Sequence, residues 1–149
     1  MHRRGAALVD LTAWYDQEQA DGETLSTPGD LDRVLDVLTG REGRFLAALS
    51  IAGEPAGPSL EVGVNSAEQL GSLNYAKGWE ENWFSTNSPG SPQPHEEHIL
   101  YYYMMSDTEY PADCEIPLDV VRRAAHEFMR TGGERPSEPQ WRALPDWMA

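Results

Sequence analysis

The sequence predicts an α+β fold: a single antiparallel β-sheet with two main helices packed on one face. Strand-like runs outnumber helical ones, the connections between them are mostly of hairpin length, and only two stretches carry apolar residues at helical spacing. A chain of 149 residues is large enough for one core between two packed layers. Residues 1–149 are therefore expected to form one domain, with the tail 134–149 extended along its body.

The elements follow in order. Residues 6–15 (AALVDLTAWY) alternate partially and predict a first strand, followed by a loop from Asp16 to Ser26. Thr27-Pro28-Gly29-Asp30 carries the chemistry of a helix start: a capping hydroxyl, a proline at the first helical position and a carboxylate placed to complete a capping box. Leu31, Val34, Leu35 and Leu38 then form one apolar stripe, and Gly40 ends the helix. Phe45 to Ile51 and Leu60 to Val64 bracket the Gly/Pro-rich turn 53–58 and predict a hairpin, with a second at Gly71 to Tyr75 and Glu80 to Ser85 around Lys77-Gly78. Asn87 to Pro94 is too proline-rich for anything but a loop. Ile99 to Met104 is apolar and aromatic and is expected to be a central strand, followed by an acidic turn. A second helix runs from about Pro117 to Thr131 with Leu118, Val121, Ala125 and Phe128 on one face. Asp119 in its first turn and Arg130 in its last both suit the helix dipole. Gly132-Gly133 stops it. Pro136, Pro139 and Pro145 keep the tail extended, pinned by Trp141 and Trp147.

Charge narrows the choice of partner. Twenty-five acidic residues against 11 basic ones give a formal net charge of -14. Phosphates would be repelled at every approach, so nucleic acid is excluded as a ligand and a basic protein is favoured. No run approaches the ~18 apolar residues of a membrane span. The basic-then-apolar start is interrupted by Asp10 before a signal-peptide core can form, which predicts a cytoplasmic protein. The single cysteine, Cys114, rules out an internal disulfide and a thiolate metal cage.

Chemistry finds little footing. His95-Glu96-Glu97-His98 satisfies H-x-E, the start of the zinc deaminase pattern, but the required P-C-x-x-C is absent. The two histidines are spaced differently from those of H-E-x-x-H, and only His2 and His126 remain to complete a metal site. There is no G-x-S-x-G turn and no phosphate-cradling loop. Within a strand the neighbours Glu80-Glu81 and Glu96-Glu97 would point to opposite faces, a poor geometry for a dyad. The reading is a non-enzyme, with no catalytic residue, metal or cofactor.

Aromatic residues edged by carboxylates are the remaining signal. Trp79 and Trp83 are separated by Glu80, Glu81 and Asn82, and Tyr101 to Tyr103 form a triplet whose middle member must face opposite to the other two. The segment from Tyr101 through Asp107, Glu109, Glu115-Ile116-Pro117, then Glu127-Phe-Met-Arg-Thr-Gly-Gly, Arg135-Pro136 and Trp141, resembles Imm family 1, immunity proteins of bacterial polymorphic toxin systems. Leu73-Asn74-Tyr75 and Gly78-Trp79 fit the family layout more loosely. The resemblance implies a protein made beside a toxin, typically one with a nucleic-acid deaminase domain, and neutralising it by tight binding; a monomer or one-to-one heterodimer is expected. Exposure and charge then nominate Trp79, Glu80, Glu81, Trp83, Glu96, Glu97, Tyr103, Asp107 and Glu109 as toxin contacts. Alternatives are a small-molecule or peptide-binding module using an open sheet face, a toxin chaperone, and an enzyme centred on His95 to His98.

Overall fold

A computed structural model describes residues 9–90 and 98–148. In chain order its elements are β1 (Leu11–Trp14), β2 (Glu23–Leu25), α1 (Pro28–Thr39), β3 (Arg44–Ile51), β4 (Ser59–Asn65), β5 (Leu70–Lys77), β6 (Glu81–Ser85), β7 (His98–Tyr103), β8 (Ser106–Pro111), β9 (Ile116–Pro117), α2 (Leu118–Thr131) and β10 (Trp141–Ala143). The main path of the sheet runs β10-β6-β5-β4-β3-β1-β2, with every neighbouring pair antiparallel. Both helices cross one face of it, so the α+β class holds.

Strand alternation builds the core. In β4, Leu60, Val62 and Val64 point to the helices while Glu61 and Gly63 point away, and β3 sends Ala47, Leu49 and Ile51 to the same helix side. Against them α1 sets Leu31, Val34, Leu35 and Leu38, all 2% exposed or less. Each such side chain contributes about 1.5–3 kcal/mol by leaving water. The helix begins where the sequence places it: Asp30 N–H donates to the Thr27 hydroxyl (3.1 Å) and Thr27 N–H donates back to the Asp30 carboxylate (3.2 Å). Helix α2 buries Val121, Ala124, Ala125, Phe128 and Met129, and ends where Gly132 and Gly133 take positive φ. The carbonyl of Gly133 accepts from the Tyr75 hydroxyl at 2.8 Å, fastening the helix end to β5.

The opposite face of the sheet is also covered, which the two-layer expectation did not include. The hairpin β7–β8 lies across it. One parallel bridge, Phe45–Tyr102, joins β7 to β3, and all its remaining strand pairing is with β8. At the other end of the hairpin Tyr110 stacks edgewise on Phe84 of β6 at 5.0 Å. Tyr101, Tyr110, Leu46, Phe84 and Cys114 form a second, smaller core there, with Leu144 and Met148 packed against it. Ile99 to Met104 is therefore an outer strand rather than the expected central one, and the stretch after it is a strand, β8, instead of a turn. Two further short strands were not expected: β2 lies within the expected loop from Asp16 to Ser26, and β9 takes Ile116 with Pro117, which was expected to open the second helix but caps it instead. The first strand is described from Leu11; residues 6–8 lie outside the described residues.

Candidate partner-binding surface

The hairpin β7–β8 sorts its side chains by parity. Ile99, Tyr101 and Tyr103 face the sheet, paired with Tyr110, Thr108 and Ser106; His98, Leu100 and Tyr102 face outward, opposite Pro111, Glu109 and Asp107. Contacts beneath determine the phase. The Tyr101 ring lies over Gly63, where an added Cβ would come within 2.6 Å of it. Its hydroxyl donates to Glu115 (2.7 Å), and the Tyr110 hydroxyl donates to Glu61 (2.6 Å). Glu115 also accepts from Arg44 through Nε and Nη2 (2.8 and 3.1 Å) and from Asn65 Nδ2 (3.0 Å). Burial pushes the Glu115 pKa up, but these donors outweigh it and hold the carboxyl below its ordinary range. Glu61 goes the other way: burial raises its pKa, and the single Tyr110 bond does not offset that.

The outcome is an outward face of mixed character. Five large apolar side chains are exposed among the described residues, and three belong to this hairpin: Leu100 at 43%, Tyr102 at 38% and Met105 at 69%. Asp107 and Glu109 are exposed beside them, across the strands from Tyr102 and Leu100. Among the described residues only an imidazole, His98, pairs with Glu109, at 3.5 Å. The two-residue tip places Met104 and Met105 at φ 46° and 77°, a mirror-image turn that favours Asn-Gly. Two unbranched but Cβ-bearing residues there store backbone strain on the order of 1–3 kcal/mol each. Next to the tip, a cleft of about 210 Å³ opens between Tyr102 and Met104 on one side and Asp16 to Glu18 on the other.

The nine nominated contacts do not form one patch. Trp79, fully exposed, and Glu80 sit on the β5–β6 turn, with Glu81 half-buried at the start of β6. That turn and the hairpin tip project at different ends of the sheet. Ala76 pairs with Ser59, whereas Phe45, the partner of Tyr102, pairs with Val64, about 17 Å away along β4 at ~3.3 Å per residue. Trp83 is half-buried against the main core, its ring covered by the Arg135 guanidinium at 4.3 Å. Tyr103 faces inward, so Tyr102 takes the outward place that was expected for it. Asp107 and Glu109 are outward, as expected. Glu96 and Glu97, with His95, lie outside the described residues. Leu100, Tyr102 and Met105 were missed; strict alternation defined the two sets of the triplet, but not which set lies under the hairpin.

The rival sites fare differently. A groove of about 810 Å³ runs beside α2, but Arg122 is held there by Asp32 and Asp36, Arg123 by Asp119 and Glu138, and His126 by Asp32. Arg122 and Arg123 are thus already paired within the chain, while Arg130, which also lines the groove, has no ion pair among the described residues. The sheet face invoked for a small ligand is filled by Tyr101 and Tyr110. Among the described residues no three His, Cys, Asp or Glu side chains group as metal ligands, and burial pushes the Cys114 thiol pKa well up, far from a reactive thiolate. No helix of the described residues is long and apolar enough to cross a membrane.

No curated protein matches the chain. A family model described as Immunity protein Imm1 matches residues 19–143, the whole span from β2 through β10 with both helices. The chain therefore belongs to the Imm1 family of immunity proteins, whose partner is a cognate toxin.

Proposed function

We propose that this protein neutralises its cognate toxin by binding over the active-site cleft of the toxin's catalytic domain, a nucleic-acid deaminase, and that it does so without chemistry or cofactor of its own. Family membership over residues 19–143 carries the reading. The formal charge of -14 supports the substrate class, because a domain that grips nucleic acid presents cations that carboxylates can engage in place of phosphates. The complex is a one-to-one heterodimer formed in the cytoplasm, with residues 1–149 acting as one domain.

The test is co-purification with the catalytic domain of the toxin encoded beside this chain, followed by an assay of deamination on single-stranded DNA and RNA. A tight equimolar complex with activity abolished is the expected result. A complex that retains full activity would make the protein a chaperone, and no complex would remove the immunity reading for that pair.

A further inference from the structure

The outer face of β7–β8 and the cleft beside its tip form one surface, because the Tyr102 hydroxyl reaches Gln17 of the β1–β2 loop at 3.2 Å. Its centre is apolar (Leu100, Tyr102, Met105) and its edges are acidic (Asp107, Glu109, Glu18). The cleft already holds one guanidinium. Arg41 lies over the Phe45 ring at 5.4 Å and 3.5 Å from Asp16, while Glu18 has no cationic partner among the described residues. An aromatic floor with a carboxylate rim suits a second cationic side chain. The Met104-Met105 tip adds an independent sign. Both residues sit at positive φ, where Asn-Gly would relax the turn, and the thioether of Met105 is left in water.

We propose that this surface seats the toxin, and that the occupant is a cationic protein face with an apolar centre that receives Met105 and a basic side chain that enters the cleft at Glu18. The inference rests on the immunity reading above. Trp79 is the competing anchor, but it stands on a tip flanked by Lys77, Gly78 and Glu80, with no exposed apolar neighbour in sequence. A hot spot needs surrounding contacts that exclude water, and the hairpin face offers them.

The experiment measures binding kinetics of purified variants against the same catalytic toxin domain, with thermal melts of each variant as the folding control. Replacing the tip with M104N/M105G is expected to raise Tm yet speed dissociation about tenfold or more, and Leu100→Gln to speed it similarly. D107K/E109K and Glu18→Lys are expected to slow association several-fold at low salt. Trp79→Ser should stay within about twofold of wild type. Hairpin variants that bind and inhibit like wild type would overturn this surface while leaving the immunity function standing. A wild-type chain that neither binds nor inhibits would overturn both.

Discussion

Glu115 shows how one carboxylate organises the ground beneath the hairpin. Its four hydrogen bonds come from Arg44 on β3, Asn65 on β4 and Tyr101 on β7, so three strands meet at a residue that lies between β8 and β9. Its folded pKa is below the ordinary value of 4.5. The sign follows: the charged form is favoured in the folded state, so the stabilisation is fully present above about pH 4.5 and fades as pH falls through the lower folded value. Glu115→Gln should cost about 1.5–3 kcal/mol at neutral pH, with the gap from wild type closing in acid. Urea titrations across the acid range test this; a gap independent of pH would show that packing, not charge, is what Glu115 provides. Glu61 carries the opposite sign. Its pKa is raised, so keeping it charged under the hairpin opposes folding at pH 7, and that cost is relieved below its raised pKa. Gln at this position still accepts from the Tyr110 hydroxyl, so Glu61→Gln should be neutral or stabilising at pH 7 and should lose that advantage in acid. A clear loss of stability at pH 7 would refute it.

Between β4 and β7 the fit depends on a missing side chain. A Cβ at Gly63 would come within 2.4 Å of the Ser72 hydroxyl and 2.6 Å of the Tyr101 ring. The hydroxyl can rotate aside, but the ring is wedged against Tyr110 at 5.1 Å and has nowhere to go. Gly63→Ala should therefore destabilise the chain by about 1–3 kcal/mol and lift β7–β8 before it disturbs the helices. Hydrogen exchange locates the effect: faster exchange confined to β7 and β8 is expected, whereas uniform loss of protection would place the damage in the main core. The same contact explains what sequence reasoning could and could not reach. Helix α1 was legible because its cap and its leucine spacing are local. The 3–4 hairpin was legible from two apolar runs around a Gly/Pro turn. Strand β8 was not, because Ser-Asp-Thr-Glu-Tyr-Pro buries little until Tyr110, and Met104-Met105 carries no turn signal. Which of the three tyrosines faces outward is decided by a gap at Gly63, nearly forty positions upstream in the chain.

Over the whole molecule, the sheet acts as a divider: helices and the larger core on one side, hairpin and the smaller core on the other. Charge is arranged on the same plan. Along α2, Arg122 and Arg123 are tied to carboxylates of α1, of their own helix and of the tail, whereas Arg130 at the helix end, Asp107 on the hairpin and Glu18 at the cleft have no ion-pair partner among the described residues. A net charge of -14 was legible from composition, but its uneven neutralisation depends on which arginine folds next to which carboxylate. This division sets how binding should respond to salt. Long-range attraction between an acidic face and the cationic toxin proposed above would act before contact and be screened over about 10 Å at 0.1 M salt and about 3 Å at 1 M. Raising salt across that range should therefore slow association by about ten-fold or more. On the surface proposed here, dissociation requires Leu100, Tyr102 and Met105 to leave an apolar seat, which salt screens little, so its rate should change by no more than about twofold. Stopped-flow association and dilution-driven dissociation, measured on wild type and on D107K/E109K, separate the two. The double reversal should flatten the salt dependence of association while leaving that of dissociation as it was. An association rate indifferent to salt in the wild type would mean that the acidic surface serves solubility alone, and that apolar contact carries the recognition by itself.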